Sequence, residues 1–404
     1  MYAFRKPFAA GSFENAGYFG LELKTVFVIS QVLGYTVSKY LGAKLVSEAS
    51  RQARLRFLIA CIVTAELALL GFALLPPPLK VLAIFLNGLP LGMVWSLVVR
   101  YLEGRRASEL LLSGLSCSFI VASGVVKDVG RALMASGVTE YWMPALTGAL
   151  FFPGFALCAW LLNRQPDPDR RDIAAREPRT PMHQQKRREF VRRFAPGLAA
   201  LLALYLLLTA FRDYRDNFGI ELFRELGYGD TPGIFTATEV PIALVTLLLC
   251  AQVGWFRRRA SGLVAVFVLM GLGLALVGGS TWGLEAGWLG GEAWMILSGL
   301  GAYLAYVPFG SFLFDRLMAA TRYAGTAVFA INIADAVGYT GSVGIQVYKD
   351  TLGANATRLG FFISLSYWLS AAGVLTLAFA CLHFVRRVQV TANRNSAPPP
   401  SQDP

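Results

Sequence analysis

Residues 163–193 read NRQPDPDRRDIAAREPRTPMHQQKRREFVRR. They separate two runs of opposite character, WMPALTGALFFPGFALCAWLL at 142–162 and PGLAALLALYLLLTAFRDYRDNF at 196–218. Each run is close to the ~20 residues that carry a helix across ~30 Å of hydrocarbon. The segment between them holds Pro166, Pro168, Pro178 and Pro181 and ten Lys/Arg, including Lys186-Arg187-Arg188. It reads as a basic linker on the cytoplasmic face, obeying the bias of cytoplasmic loops toward Lys and Arg.

Further apolar runs stand on both sides of this segment. With the two already quoted they cover 25–46, 57–76, 81–102, 110–133, 142–162, 196–218, 233–254, 262–280, 293–314, 325–346 and 360–385. Met1 to Gly11 reads as the second half of one more span, because Arg5 has too few residues before it to complete a crossing. A truncated first helix is expected, with about 15–20 further apolar residues encoded in frame upstream of Met1. The sequence thus predicts an N-terminal six-helix bundle over 1–162, the linker over 163–193, a C-terminal six-helix bundle over 194–388, and a disordered Pro-rich tail over 389–404.

Composition agrees with a membrane chain. Hydrophobic residues make up 55 % and charged residues only 15 %, where soluble domains carry about a quarter charged. The 40 glycines are scattered through apolar runs, where they let helix backbones approach closely. Gly271, Gly273, Gly278 and Gly279 lie in one such run with no strand before them, so they read as packing residues and not a nucleotide loop. Cys61, Cys117, Cys158, Cys250 and Cys381 show no paired spacing, and His183 and His383 are the two histidines. No metal site, cofactor or catalytic set is read from these residues, and no enzyme activity is expected.

Charge sets the expected orientation. Arg51, Arg54 and Arg56, then Arg105 and Arg106, Arg257 to Arg259, Arg316 and Arg322, and Arg386 and Arg387 fall in loops on the linker side. One opposite loop holds Glu285 and Glu292 without Lys or Arg. The +12 net charge is explained this way without a nucleic acid partner. The chain reads as a monomer in a bacterial inner (plasma) membrane, with linker and C-terminus cytoplasmic.

An internal repeat joins the halves. Ala3-Phe4-Arg5 recurs as Ala210-Phe211-Arg212, each in the first helix of its half. Parallel halves related by an axis along the membrane normal are typical of major-facilitator transporters, whose solute sits between them. An all-α membrane protein of the major-facilitator 12-helix (6+6) fold is expected.

Charges at membrane depth face a cavity or a partner, since lipid exposure costs about 2.5–3.5 kcal/mol on insertion scales. Arg5, Lys6, Lys39, Glu66, Lys127, Asp128 and Arg131 fit this description in the first half. Arg212, Asp213, Arg215, Asp216, Glu239 and Asp335 do so in the second. Arg5 and Arg212 are expected on opposite walls of one cavity, their forks suited to a single oxyanion. The alternative is neutralisation within each half, for instance of Arg212 by Asp216. Asp128 is expected to pair locally with Arg131, and Arg215 with Asp216 to form a gating pair. Glu239 and Asp335 read as lone acids, either proton-coupling sites or counter-ions.

Tyr2-Ala3-Phe4-Arg5-Lys6-Pro7-Phe8-Ala9 resembles the first-helix motif of the organophosphate:phosphate antiporter family, the glycerol-3-phosphate and hexose-phosphate transporters. Ser38-Lys39-Tyr40 resembles that family's second-helix element, Gly92-Met93-x-Trp95 with Arg100 its fourth helix, and Gly325-Thr326-Ala327 the start of its eleventh. The stretch after Arg212 aligns without a gap to Arg224-Glu225. The resemblance implies that Arg5 and Arg212 are phosphate ligands and that Lys6 and Lys39 lie nearby. The family's cavity histidine falls near Phe119, and Ser47-Glu48 stands where its Asp-Arg signature would be. The implied function is alternating-access transport of a small organic anion, phosphorylated in type, with inorganic phosphate as counter-substrate. Two other functions fit the residues: a proton-coupled carrier of a non-phosphorylated solute, and a transporter-like anion sensor.

Overall fold

The computed structural model describes residues 1–13, 17–18, 20–48, 51–102, 105, 107–166, 184–256, 259–321, 327–353 and 355–396. The first half contains α1 (Leu23–Glu48), α2 (Arg51–Leu74), α3 (Pro77–Leu102), α4 (Ser108–Ala135) and α5 (Met143–Arg164). The second contains α6 (Gln184–Asn217), the short α7 (Gly219–Glu225), α8 (Ile234–Val253), α9 (Arg259–Glu285) and α10 (Gly291–Ser311). The short α11 (Leu313–Thr321), then α12 (Ala327–Thr351) and α13 (Arg358–Ser396), complete it. Each long helix covers one of the apolar runs. Among the described residues, nine helices are long and apolar enough to cross a membrane, and α1 and α12 stand beside them.

Three boundaries differ from expectation. The basic segment is shorter than 163–193, because α6 begins at Gln184 with the helix-favouring Gln-Gln-Lys-Arg-Arg-Glu; residues 167–183 of that segment lie outside the described residues. The tail read as disordered from 389 is helical to Ser396, and 397–404 lie outside the described residues. Residues 2–10 form two 3₁₀ turns, Tyr2–Phe4 and Pro7–Ala10, where half an α-helix was expected. Pro7 has no N–H to continue an α-helix, so carbonyls upstream need other donors. The Asn87 amide donates to the Phe4 carbonyl at 2.9 Å, and the Gln31 amide to the Arg5 carbonyl at 3.1 Å. Gln31 and Asn87 also bond each other at 2.8 Å. Glu140, at the opposite end of the half, accepts from the Ser12 and Phe13 amides and fixes the segment's far end.

Each half has its own apolar core. One is built around Phe4, Phe8, Phe27, Ile62, Phe72, Ile84 and Leu91. The other runs from Phe190 through Phe211, Tyr214 and Trp294 to Phe384. They meet where Cys117 and Ile120 of α4 join the second core and Tyr339 of α12 joins the first. On the outside, Leu67, Leu150, Leu248, Leu272, Trp368 and Leu375 are each 61–72 % exposed. That much exposed apolar surface is a liability in water and the expected covering in lipid.

Glycines set the closest helix crossings. A Cβ on Gly34 would lie 2.2 Å from the Phe85 carbonyl oxygen, and one on Gly88 2.3 Å from that of Gln31, so α1 and α3 touch backbone to backbone. Gly273 of α9 and Gly301 of α10 meet the same way, at 2.5 and 2.4 Å. Gly278 is tight against Ser370, whereas Gly279 faces open space.

Candidate functional site

Arg5, Lys39, Arg212 and Asp335 line one cavity between the halves, with a volume of about 60 Å³. The first 3₁₀ turn, α1, α3 and α4 supply one wall, and α6, α10 and α12 the other. The repeated Ala-Phe-Arg therefore does the same thing twice. Phe4 and Phe211 anchor in the two cores at 1 % and 0 % exposure, and the arginine that follows each reaches the cavity.

Both guanidinium groups lie over tyrosine rings, Arg5 over Tyr35 at 4.3 Å and Arg212 over Tyr306 at 4.2 Å. Such stacking holds a cation by the ring quadrupole and leaves the N–H edge for in-plane acceptors. The Arg5 Nε is buried without a hydrogen-bond partner. Arg212 donates from Nε and Nη2 to Asp213 Oδ1 at 3.2 and 2.7 Å, and Asp213 also accepts from Ser342 at 2.8 Å. Arg212 is thus partly neutralised within its half, by Asp213 and not by Asp216.

Several other readings are corrected. Asp335 is not a lone acid: Lys39 of the opposite half donates to it at 2.8 Å, and the Tyr205 hydroxyl at 2.7 Å. Glu239 takes one of its two expected roles, the counter-ion of an arginine, since Arg215 donates to it at 2.5 Å within the same half. Arg215 also donates to the Met295 carbonyl, so it braces α6 against α8 and α10 and does not pair with Asp216. Lys6 does not reach the cavity; it bonds Asn217 Oδ1 at 2.9 Å and pairs with Asp216. Lys127 pairs with Asp216 as well. Asp128 accepts from the amide and hydroxyl of Thr236 at 2.7 and 2.6 Å, while Arg131 donates to the Gly229 and Thr231 carbonyls. The expected local Asp128–Arg131 pair gives way to contacts across the halves.

These cross-contacts gather at the end of the bundle away from 163–193. Lys24 meets Glu221 at 2.6 Å there, and Arg358 meets Glu22 and Asp350 while stacking on Phe218 at 3.8 Å. Lys24, Glu221, Glu22 and Arg358 were not singled out in the sequence, because each sits near a helix end where charge is ordinary. At the linker end, the described cross-pair is Arg316 with Glu109, whose side chain is 46 % exposed. Among the described residues, the far end is held by Lys6, Lys127 and Lys24, whose side chains are 1–3 % exposed, on Asp216 and Glu221.

Asp216 is the centre of that seal, since it answers two lysines whose side chains are 3 % and 2 % exposed. Ser123 also donates to it at 2.5 Å. Asp216→Asn leaves both cations without a carboxylate, and breaking a buried pair costs about 3–5 kcal/mol. The expected result is a far end that opens: a cysteine placed at Asn217 reacts faster with an impermeant maleimide in the Asp216→Asn background. Unchanged labelling would count against the seal.

Tyrosines were the other omission. Tyr35 lies one turn before Lys39, Tyr339 one turn after Asp335, and Tyr205 two turns before Arg212. An aromatic at helical spacing from each buried charge was the available signal.

Comparison with solved structures places the fold. The chain is similar to a D-xylose–proton symporter, at TM-score 0.58 and 14 % identity over 94 % of each chain. It is also similar to a bacterial homolog of the human lysosomal transporter Spinster, inward-facing and unoccupied, at TM-score 0.55 and 12 % identity over 98 % of this chain and 96 % of that one. A proton:xylose symporter of the major facilitator superfamily bound to 6-bromo-6-deoxy-D-glucose matches at TM-score 0.55 and 13 % identity over 94 % and 92 %. The fold is the all-α major-facilitator membrane fold. No curated protein matches the chain. The sequence profile of DUF5690, a family of unknown function, matches residues 7–387, and the chain belongs to that family.

Proposed function

We propose that the chain is an alternating-access secondary transporter of a small organic anion, and that the cavity between the halves is its solute site. The observation that carries this reading is the pair of repeat-related arginines, Arg5 and Arg212, lining one cavity from opposite halves. The cavity's ~60 Å³ is far below the ~300 Å³ and more of ordinary ligand pockets. A solute enters when the halves part. The motif resemblance makes organophosphates the first class to test, with inorganic phosphate as counter-substrate. In this reading the membrane is the bacterial inner membrane, with linker and C-terminus cytoplasmic, and the bundles divide between Arg164 of α5 and Gln184 of α6.

The Lys39–Asp335 pair supports a second reading, a proton-coupled carrier of a non-phosphorylated solute. It joins the halves inside the cavity, so protonating Asp335 would release Lys39. Counterflow in proteoliposomes tests both. Labelled anion should accumulate against trapped unlabelled anion without a proton gradient, at a rate steady between pH 6 and 8. Uptake that requires an inward proton gradient and disappears in Asp335→Asn selects the second reading. Binding without counterflow in either condition points to a sensor and rejects both.

A further inference from the structure

We infer that the solute of this cavity carries an aromatic, flat apolar body on its oxyanion, an inference that rests on the cavity being the solute site. The charges account for the anion. Arg5, Lys39 and Arg212 stand against Asp335 in the lining and Asp213 behind Arg212, three cations for two carboxylates.

The rest of the wall answers a different chemistry. Tyr2 stacks on Phe119 with centroids 5.6 Å apart and planes within 10° of parallel. Trp95 meets the edge of Phe119 at 5.9 Å. All three rings line the cavity, with Val307 and Ile331 facing it from the other half. Phe119 and Trp95 are only partly buried, so they keep ring surface that the protein does not cover. Apolar surface left open in a polar cavity gains free energy when a ligand of like character covers it, and stacked or edge-on rings add a directional term.

The hydroxyls nearest Asp335 are already engaged. The Tyr205 hydroxyl is engaged by Asp335 at 2.7 Å and by the Tyr306 hydroxyl at 3.0 Å. Tyr35 and Tyr306 present their faces to the arginines. A hydroxyl laid against the Phe119 ring, Val307 or Ile331 would lose its water without gaining a partner, so a polyol phosphate fits this part of the wall less well than an aryl phosphate or an aryl carboxylate. Phosphate and carboxylate share the chemistry that the guanidinium forks recognise, and the body is what the wall selects.

The test uses the full-length protein purified in detergent and four probes in two matched pairs, phenyl phosphate with glycerol 3-phosphate and benzoate with acetate. Affinities come from titration calorimetry, with thermal stabilisation as a second readout. The ring-bearing member of at least one pair should bind about tenfold tighter than its partner, and the better pair identifies the oxyanion. Phe119→Ser should narrow that ratio; if this variant does not fold, the wild-type ratio alone decides. Equal or tighter binding of the ringless members overturns the aromatic body and leaves the anion site standing. Failure of all four probes to bind overturns the solute-site reading and this inference with it.

Discussion

Arg212→Lys lowers the affinity for the transported anion by about 10- to 100-fold although the charge is unchanged. A lysine offers a point charge in place of a planar fork. It gives up charge-assisted hydrogen bonds worth about 1.5–3 kcal/mol, and each 1.4 kcal/mol is a factor of ten. The substitution still leaves a cation beside Asp213, which keeps its bond from Ser342 at 2.8 Å, so the protein is expected to purify as a single species. Arg5→Lys has the same expected effect, because its Nε has no partner in the protein to compensate. The measurement is the concentration dependence of counterflow, with size-exclusion chromatography as the folding check. If both variants transport with unaltered affinity, the two arginines do not clamp the solute, and the Lys39–Asp335 pair becomes the place to look.

Gly88→Val is expected to prevent accumulation of folded protein. The new Cβ would fall 2.3 Å from the Gln31 carbonyl oxygen and 3.0 Å from the Tyr35 nitrogen. Both obstacles are backbone, so no side chain can swing aside. The helices must separate, and overpacking of this kind costs about 1–3 kcal/mol or more. Separation also breaks the Gln31–Asn87 bond, and with it the donors that satisfy the Phe4 and Arg5 carbonyls. The damage therefore spreads from a helix crossing to the segment that presents Arg5. Gly279→Ala is the control, since a Cβ there meets nothing within 4 Å and should leave thermal unfolding in detergent within about a degree of wild type. Equal yield and unfolding temperature for the two variants would show that the crossing tolerates separation.

The spans were legible because a crossing helix needs a fixed length of apolar chain, and that property is local. Arg5 and Arg212 were legible because the repeat marks them twice. The partners of the charges were not. Lys6 and Asn217 are 211 residues apart, and Lys39 and Asp335 are 296 apart. Sequence spacing favours neighbours such as Asp128 and Arg131, but two packed bundles offer each helix a second face, and the partners found there displace the local ones. The 3₁₀ turns at the start were hidden for a related reason. Their carbonyls are satisfied by Asn87 and Gln31, and neither is near in sequence. Pro7 was the visible warning.

Arg5 and Lys6 are consecutive, yet one faces the cavity and the other the seal. The peptide unit between them is rigid, with Cα atoms 3.8 Å apart. On the opposite side, Arg212 and Asp216 are one turn apart on a single stiff helix, α6. Cavity and far-end contact therefore hang on one stretch of backbone on each side. A backbone displacement at Arg5 is shared by Lys6, and one at Arg212 is carried along the helix toward Asp216. In the proposed transporter, occupancy of the cavity and closure of the far end would therefore be coupled through the backbone itself.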